Sequence, residues 1–170
     1  MERIAEAQAS AAPAGAVYQK NEEFTGFVEG VGSNGEGIVR FGETVYFAPF
    51  TVMGEKVKFR ALKVKNRIGY AKAIEILTPA DERVRPVCDK FTKCGGCQLQ
   101  HLRYGSQLKL KSKTVADALR KIAGIDCEVP LTVKSDSQFG YRNKLQIPVG
   151  VNREGETVIG FYAERSHRIV

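Results

Sequence analysis

Cys88, Cys94 and Cys97 fall within ten residues, and the last two enclose Gly95-Gly96. Thiols this dense impose a local backbone path set by whatever they hold, and the two glycines let that path turn tightly. The surrounding stretch, 79–104, contains Pro79 and Pro86 and shows neither a helical nor a strand period. It reads as an irregular segment and divides the chain. Residues 1–22 are Ala-rich with few large apolar side chains and read as a flexible tail.

Residues 23–78 read as all-β. Runs rich in β-branched and aromatic residues, at 24–29, 37–41, 44–47, 55–64 and 67–77, are separated by Gly-rich turns. Lys56-Val57-Lys58-Phe59-Arg60-Ala61 alternates strictly, so one face should be buried and the other basic and wet. Five strands in so short a stretch fit a small closed barrel of the OB type, because closure removes exposed edges. Gly30-Val31-Gly32-Ser33-Asn34-Gly35 matches a dinucleotide fingerprint literally. A strand-like run follows it where that site needs a helix, so it reads as a glycine-rich hairpin.

Beyond the cysteines, 106–123 is the best helix. Ser106 can cap it, Leu108, Val115, Leu119 and Ile122 share a face, and Gly124 can end it. Strands are expected at 128–133, 144–149 and 158–162, the last two joined by a turn at Asn152-Arg153-Glu154-Gly155. The chain stops on what reads as a further strand. The fold class is therefore a β barrel at 23–78 followed by an incomplete α/β domain at 79–170.

The net charge of +7 matters through its distribution. Lys56, Lys58, Arg60, Lys63, Lys65, Arg67 and Lys72 occur with no acid among them, and eight more basic residues stand between Arg83 and Lys113 against Asp89 alone. Such a band attracts a polyanion through phosphate contacts and counterion release. It can equally be a solvated basic surface. Tyr141-Arg142-Asn143-Lys144 offers a ring for stacking, two cations for phosphate and an amide for a base edge, or else only a solvated strand start. No apolar run reaches the ~20 residues of a membrane span. No basic start with an apolar run marks export, so a cytoplasmic location is expected; a monomer is expected as well.

In a reducing compartment the clustered thiols suggest a metal centre. Three local cysteines at this spacing fit a [4Fe–4S] site whose fourth ligand is Cys127 or a cysteine beyond residue 170. Cys88, Cys94, Cys97 and His101 could instead close a Cys3His zinc tetrahedron. For catalysis, Cys127 is the only thiol outside the group, and its neighbours Asp126 and Glu128 disfavour a thiolate. No active site is expected within the 170 residues.

Several of these stretches together resemble one family. Residues 22–77 resemble a TRAM domain, an OB-like barrel found on RNA-modifying enzymes. Val87-Cys88-Asp89 and Lys93-Cys94-Gly95-Gly96-Cys97-Gln98-Leu99-Gln100-His101-Leu102 look like the cluster motif of bacterial RNA uracil-5-methyltransferases, which make 5-methyluridine in 23S ribosomal RNA. Tyr104, Gln107, Lys111, Lys113 and the helix to Leu119 continue the match. So do Tyr141 to Lys144, Gly160-Phe161-Tyr162 and Ser166-His167-Arg168-Ile169-Val170.

The resemblance implies a TRAM barrel, then a central domain in which Cys88, Cys94 and Cys97 hold three corners of a [4Fe–4S] cluster, then an S-adenosylmethionine domain. It places the fourth cluster ligand just past the stretch matching 166–170 and leaves His101 without a ligand role. It also implies that a cysteine adds to C6 of uracil, that C5 takes the methyl group, and that a base removes the C5 proton. The nucleophile, the base and the cofactor pocket all fall in the last domain. The chain as written is thus expected to be catalytically incompetent and to contribute RNA binding, through Lys56, Lys58, Arg60, Lys63, Lys65, Arg67, Arg142, Asn143 and Lys144. The alternative is a free-standing RNA-binding module with the zinc knuckle.

Overall fold

The structure is a computed structural model that describes residues 18–164 and 166–170. It divides after Ala80 into two compact units. The expected tail lies outside the described residues up to position 17.

The first unit is a six-stranded mixed sheet of β1 (Glu23–Phe27), β2 (Gly30–Val31), β3 (Gly37–Phe41), β4 (Thr44–Ala48), β5 (Lys56–Lys65) and β6 (Ile68–Thr78). Their order across the sheet is β1-β5-β6-β4-β3-β2, and all neighbours are antiparallel except β4 and β6. The expected closed five-stranded barrel is corrected to a barrel-like sheet. No ladder joins β1 to β2 among the described residues, and the two lie at opposite ends of the hydrogen-bonded order. They are one run of chain that changes partners. Val28 N–H donates to Glu55 O at 2.9 Å and Glu29 N–H to Ile38 O at 2.8 Å, so the run leaves β5 and joins β3. The curl is completed by covalent chain, which is why the strand expected at 24–29 appears as two.

The concave side holds the core. Phe24, Val39, Tyr46, Val57, Phe59, Ala61 and Ala71 are buried there, each large side chain contributing about 1.5–3 kcal/mol by leaving water. Tyr18 belongs to this core as well. Its ring stacks on Phe24 at 4.5 Å and meets Phe41 edge-on at 5.2 Å, and its N–H donates to Tyr46 Oη at 3.0 Å. Glu55 is fully buried where the β4–β5 loop ends. One carboxylate oxygen accepts from Val52 N–H at 2.8 Å and the other from Ala80 N–H at 3.4 Å, so backbone donors replace the lost water. The glycine-rich motif is the expected hairpin: Gly32 N–H donates to Glu36 O at 2.7 Å, and Gly35 turns with φ 86°.

The second unit holds α1 (Tyr104–Ala123) and a hairpin of β7 (Val149–Val151) and β8 (Thr157–Ile159). The helix starts two residues before the expected Ser106. Its N-cap is Arg103 with no side-chain cap, and Gly124 ends it in the left-handed conformation. Of its expected apolar face, only Leu108 is buried; Val115 and Ile122 are exposed. The strand expected at 128–133 is absent, and 144–149 shifts to β7. The turn between the hairpin strands is held by Asn152, whose Oδ1 accepts from Glu154 and Glu156 N–H at 3.0 and 2.8 Å. No helix among the described residues is long and apolar enough to cross a membrane.

Gly69 gives a direct test of the first unit's packing. A Cβ there would drive into the Tyr46 ring, which is itself fully buried. Gly69→Ala is expected to lower stability by about 1–3 kcal/mol, read as a lower urea midpoint with an unchanged slope.

Candidate nucleic-acid interface and cysteine loop

The basic residues of β5 change phase along the sequence, yet they share one face. Lys56, Lys58 and Arg60 are even-numbered, whereas Lys63 and Lys65 are odd. Along a regular strand these sets would point to opposite faces. The β5–β6 register resolves this, because it runs Ala61↔Ala71 and then Lys63↔Tyr70, leaving Leu62 as an extra residue in a bulge. Val57, Phe59 and Ala61 face the core before the bulge, and Val64 packs on it afterwards. All five cations therefore lie outward. β6 answers with its own irregularities at Ile74 and Leu77, keeping Ala73 and Ile76 against the core.

Charge is not uniform along this strip. Glu23, paired in register with Arg60, binds Arg60 Nη2 at 2.6 Å and Lys58 Nζ at 2.7 Å. The hydrogen bond from Lys58, then that from Arg60, holds the Glu23 carboxyl below its ordinary value, and the same contact with Glu23 raises Lys58. Glu75 stands opposite Lys58 in register. Lys56 lies 5.8 Å from the centre of the Phe27 ring. Arg67, in the two-residue turn Asn66-Arg67 where both φ values are positive, pairs with Glu43 at 2.8 Å. Among the described residues no ion pair engages Lys56, Lys63, Lys65 or Lys72. Unpaired cations thus stand near the turn as Lys63 and Lys65, beside Arg60 as Lys72, and at the start of β5 as Lys56.

Arg142, Asn143 and Lys144 belong to the second unit. All three are exposed, in a stretch without regular structure. The expected binding residues thus form one grouped set on β5 and its turn and a separate set in the other unit.

The three cysteines ride on a loop closed at its base by antiparallel contacts. Arg83 bridges Leu102, Val84 N–H donates to His101 O at 2.8 Å, and Arg103 N–H to Glu82 O at 2.8 Å. Gln107 of the helix donates to Leu99 O and Leu102 O at 3.1 and 2.8 Å. Across the loop, Gly95 N–H donates to Tyr162 O at 2.9 Å and Cys94 bridges Ala163. A Cβ on Gly95 would stand 3.1 Å from that Tyr162 oxygen, so glycine permits the contact. Gly96 N–H points at Cys94 Sγ at 3.3 Å, a donor of the kind that steadies a thiolate. All three thiols are free, with Cys88 and Cys97 exposed and Cys94 half-buried.

The donor chemistry suits a thiophilic centre, but the described residues gather no three of them into a ready-made metal site. His101 is buried in the core against Phe91, with ring centres 5.5 Å apart. The described residues do not gather His101 with the three cysteines as the alternative zinc tetrahedron would need, and no chemical step is routed through a metal. Cys127 is exposed, away from any such grouping among the described residues.

Comparison with known proteins gives these two surfaces a context. The chain is 41% identical over 152 residues to a protein named "Uncharacterized RNA methyltransferase" from Clostridium tetani, spanning 89% of this chain and 33% of that one. A second relative of that name, from Clostridium acetobutylicum, is 39% identical over 155 residues, with 89% and 34% covered. The relatives are RNA methyltransferases by name. The chain spans about a third of their length. In three dimensions it is similar to the Pyrococcus abyssi tRNA (uracil-54, C5)-methyltransferase solved in complex with S-adenosyl-L-homocysteine. The TM-score is 0.53 at 27% identity, over 86% of this chain and 30% of that one. No family model matches.

Sequence reasoning missed the Glu23 clasp, because Glu23 lies 37 positions from Arg60. Only the strand pairing brings the acid to the strip. Above its lowered pKa, Glu23 is ionised and masks two cations; the clasp opens only in acid, below the ordinary glutamate value of 4.5. At neutral pH, Glu23→Gln is expected to raise the salt concentration at which the chain leaves a heparin column. An unchanged elution point would place the polyanion surface elsewhere.

Proposed function

We propose that this chain is the RNA-holding part of an S-adenosylmethionine-dependent methyltransferase acting on C5 of uridine in RNA. One observation carries the reading: a bulge keeps five cations of β5 on one outward face, in a chain whose relatives are named RNA methyltransferases. The 23–78 stretch is read as a TRAM domain, with Lys63 and Lys65 as its main phosphate contacts and Lys56, Lys58, Arg60 and Arg67 in support. Arg142, Asn143 and Lys144 are read as a second RNA contact on the 79–170 domain. The likeness of the cysteine motif favours 23S ribosomal RNA as the substrate. The structural neighbour, named for uracil-54 of tRNA, makes tRNA the competitor. The protein is read as a cytoplasmic monomer.

Methyl transfer is assigned to the part of the relatives that this chain does not span. Within residues 1–170 the reading supplies binding and positioning alone. With radiolabelled S-adenosylmethionine and a uridine-containing 23S fragment, the 170-residue chain is expected to bind RNA without transferring methyl. Turnover would overturn this assignment. The salt dependence of that binding locates the surface. Lys63→Ala with Lys65→Ala is expected to weaken it about tenfold or more and to reduce the log–log salt slope by about 0.7 for each single-strand phosphate no longer neutralised. Lys58→Ala with Arg60→Ala should cost less, since Glu23 already occupies both. The reverse order would return the site to the cations around Glu23.

The cysteine loop is proposed to hold a [4Fe–4S] cluster through Cys88, Cys94 and Cys97, supported by the Gly96 N–H directed at Cys94 Sγ. A fourth thiolate from outside this chain would complete it; when bound, such a group would order the loop or carry an electron. After anaerobic reconstitution, iron bound to the 170-residue chain is expected to be labile and below four per chain. A stable four-iron product that disappears on Cys127→Ser would make Cys127 the fourth ligand. Stoichiometric zinc without iron would favour the free-standing module.

A further inference from the structure

We propose that Phe47 and Tyr70 form a base-stacking step on the outer face of the first unit, receiving an unpaired segment of RNA; this rests on the RNA-binding reading above. The sheet register sets the residues side by side. Across β3, β4, β6 and β5 runs one outward row, Ile38↔Phe47↔Tyr70↔Lys63. The next row is Arg40↔Val45↔Ile68↔Lys65, and Lys72 stands beside Arg60. Neighbouring strands lie roughly 4.8 Å apart, so cations flank the aromatic pair within a side chain's reach.

Phe47 and Tyr70 are not core residues. Their strand neighbours Tyr46, Ala48 and Ala71 fill the interior, while the pair itself is half-buried on the opposite face. The two rings are 6.1 Å apart and tilted by 35°, so they do not stack on each other. Gly32 of the β2–β3 hairpin lies against Phe47. A Cβ there would be 3.3 Å from ring carbons Cδ1 and Cε1, and glycine keeps the ring from being covered further. The same hairpin carries one acid, Glu36, tied to Asn34 Nδ2 at 3.3 Å. Against it stand Lys63, Lys65 and Lys72, for which no ion pair is found among the described residues.

Aromatic faces set among unneutralised cations complement a nucleic acid whose bases are free to splay, because every base offers a π-face and every phosphate a charge. A duplex keeps its bases stacked inside and offers such rings nothing. A protein partner would be drawn by apolar area, yet here the apolar row ends in lysine on one side. The occupant the surface fits is therefore single-stranded RNA.

The chain has no tryptophan, so Phe47→Trp places a single reporter at the site. Its fluorescence is expected to quench on titration with a uridine-rich single strand and to stay unchanged with a duplex of equal length. Separately, Tyr70→Leu and Phe47→Leu, each checked for an unaltered urea transition, are expected to weaken single-strand binding about tenfold. The log–log salt slope should not move, because every cation that meets a phosphate is still in place. Unchanged affinity in folded variants would overturn the inference and leave the pair a cross-strand contact. A fall in affinity and slope together would also overturn it, since the rings would then act only by placing the lysines. Quenching by a protein but not by RNA would assign the face to another class of partner. If the unaltered chain binds no RNA, the RNA-binding reading itself fails; if it binds while the leucine variants bind equally well, only the stacking step fails.

Discussion

The bulge at Leu62 governs the first unit on both of its faces. Without an extra residue there, a strand that buries Val57, Phe59 and Ala61 would go on to bury Lys63 and Lys65. Those ammonium groups would need partners inside a core of aromatic rings and small apolar side chains, at a cost of several kcal/mol each. The bulge skips one position, lets Val64 reach the core, and delivers all the cations to solvent. It also adds local twist to the strand.

The cations of the strip then acquire different characters from their neighbours. Near β1 the strip meets Glu23, and two of its cations are held in a clasp that neutralises them. Near the β5–β6 turn Arg67 is held by Glu43, but Lys63 and Lys65 meet Tyr70 and Ile68 and no ion pair engages them among the described residues. The sheet thus neutralises the middle of one basic strand and leaves Lys63 and Lys65 unpaired beside the aromatic residues of β4 and β6. The second unit works by another principle. Its small core of Phe91, His101, Leu102, Leu108 and Ala163 is supplemented by backbone hydrogen bonds that close the cysteine loop and pin it to the stretch around Tyr162. Much of its remaining apolar surface, including Ile122, Val133 and Tyr141, is exposed.

Local pattern made some of this legible in the sequence. The alternation of Lys56 to Ala61, the glycine-rich hairpin, the Gly124 helix stop and the Asn152 turn each rest on neighbouring residues, and each is found where expected. Features that depend on distant partners were not legible. The place of Tyr18 in the core, the Glu55 carboxylate under the β4–β5 loop and the Glu23 clasp all require strand pairing to bring them together. The expected barrel closure failed for a related reason, since the break in the first strand comes from a change of partner and not from any local breaker. The Leu62 bulge had a signal that could have been read. The parity of the basic residues shifts between Arg60 and Lys63, and the apolar parity shifts with it, from Ala61 to Val64. The gathering of the cysteines had no such check, because spacing fixes which thiols are near in sequence and not how they converge in space.

RNA is proposed to lie along the outward face of β4, β5 and β6, across Phe47, Tyr70, Lys63 and Lys65. Ultraviolet cross-linking of the chain to a uridine-rich single strand, with the modified peptides mapped by mass spectrometry, tests it most directly. Adducts are expected on the peptides carrying Phe47, Lys63, Lys65 and Tyr70, diminished at high salt. Adducts confined to the second unit, or to the peptides carrying Glu23, Lys58 and Arg60, would contradict it.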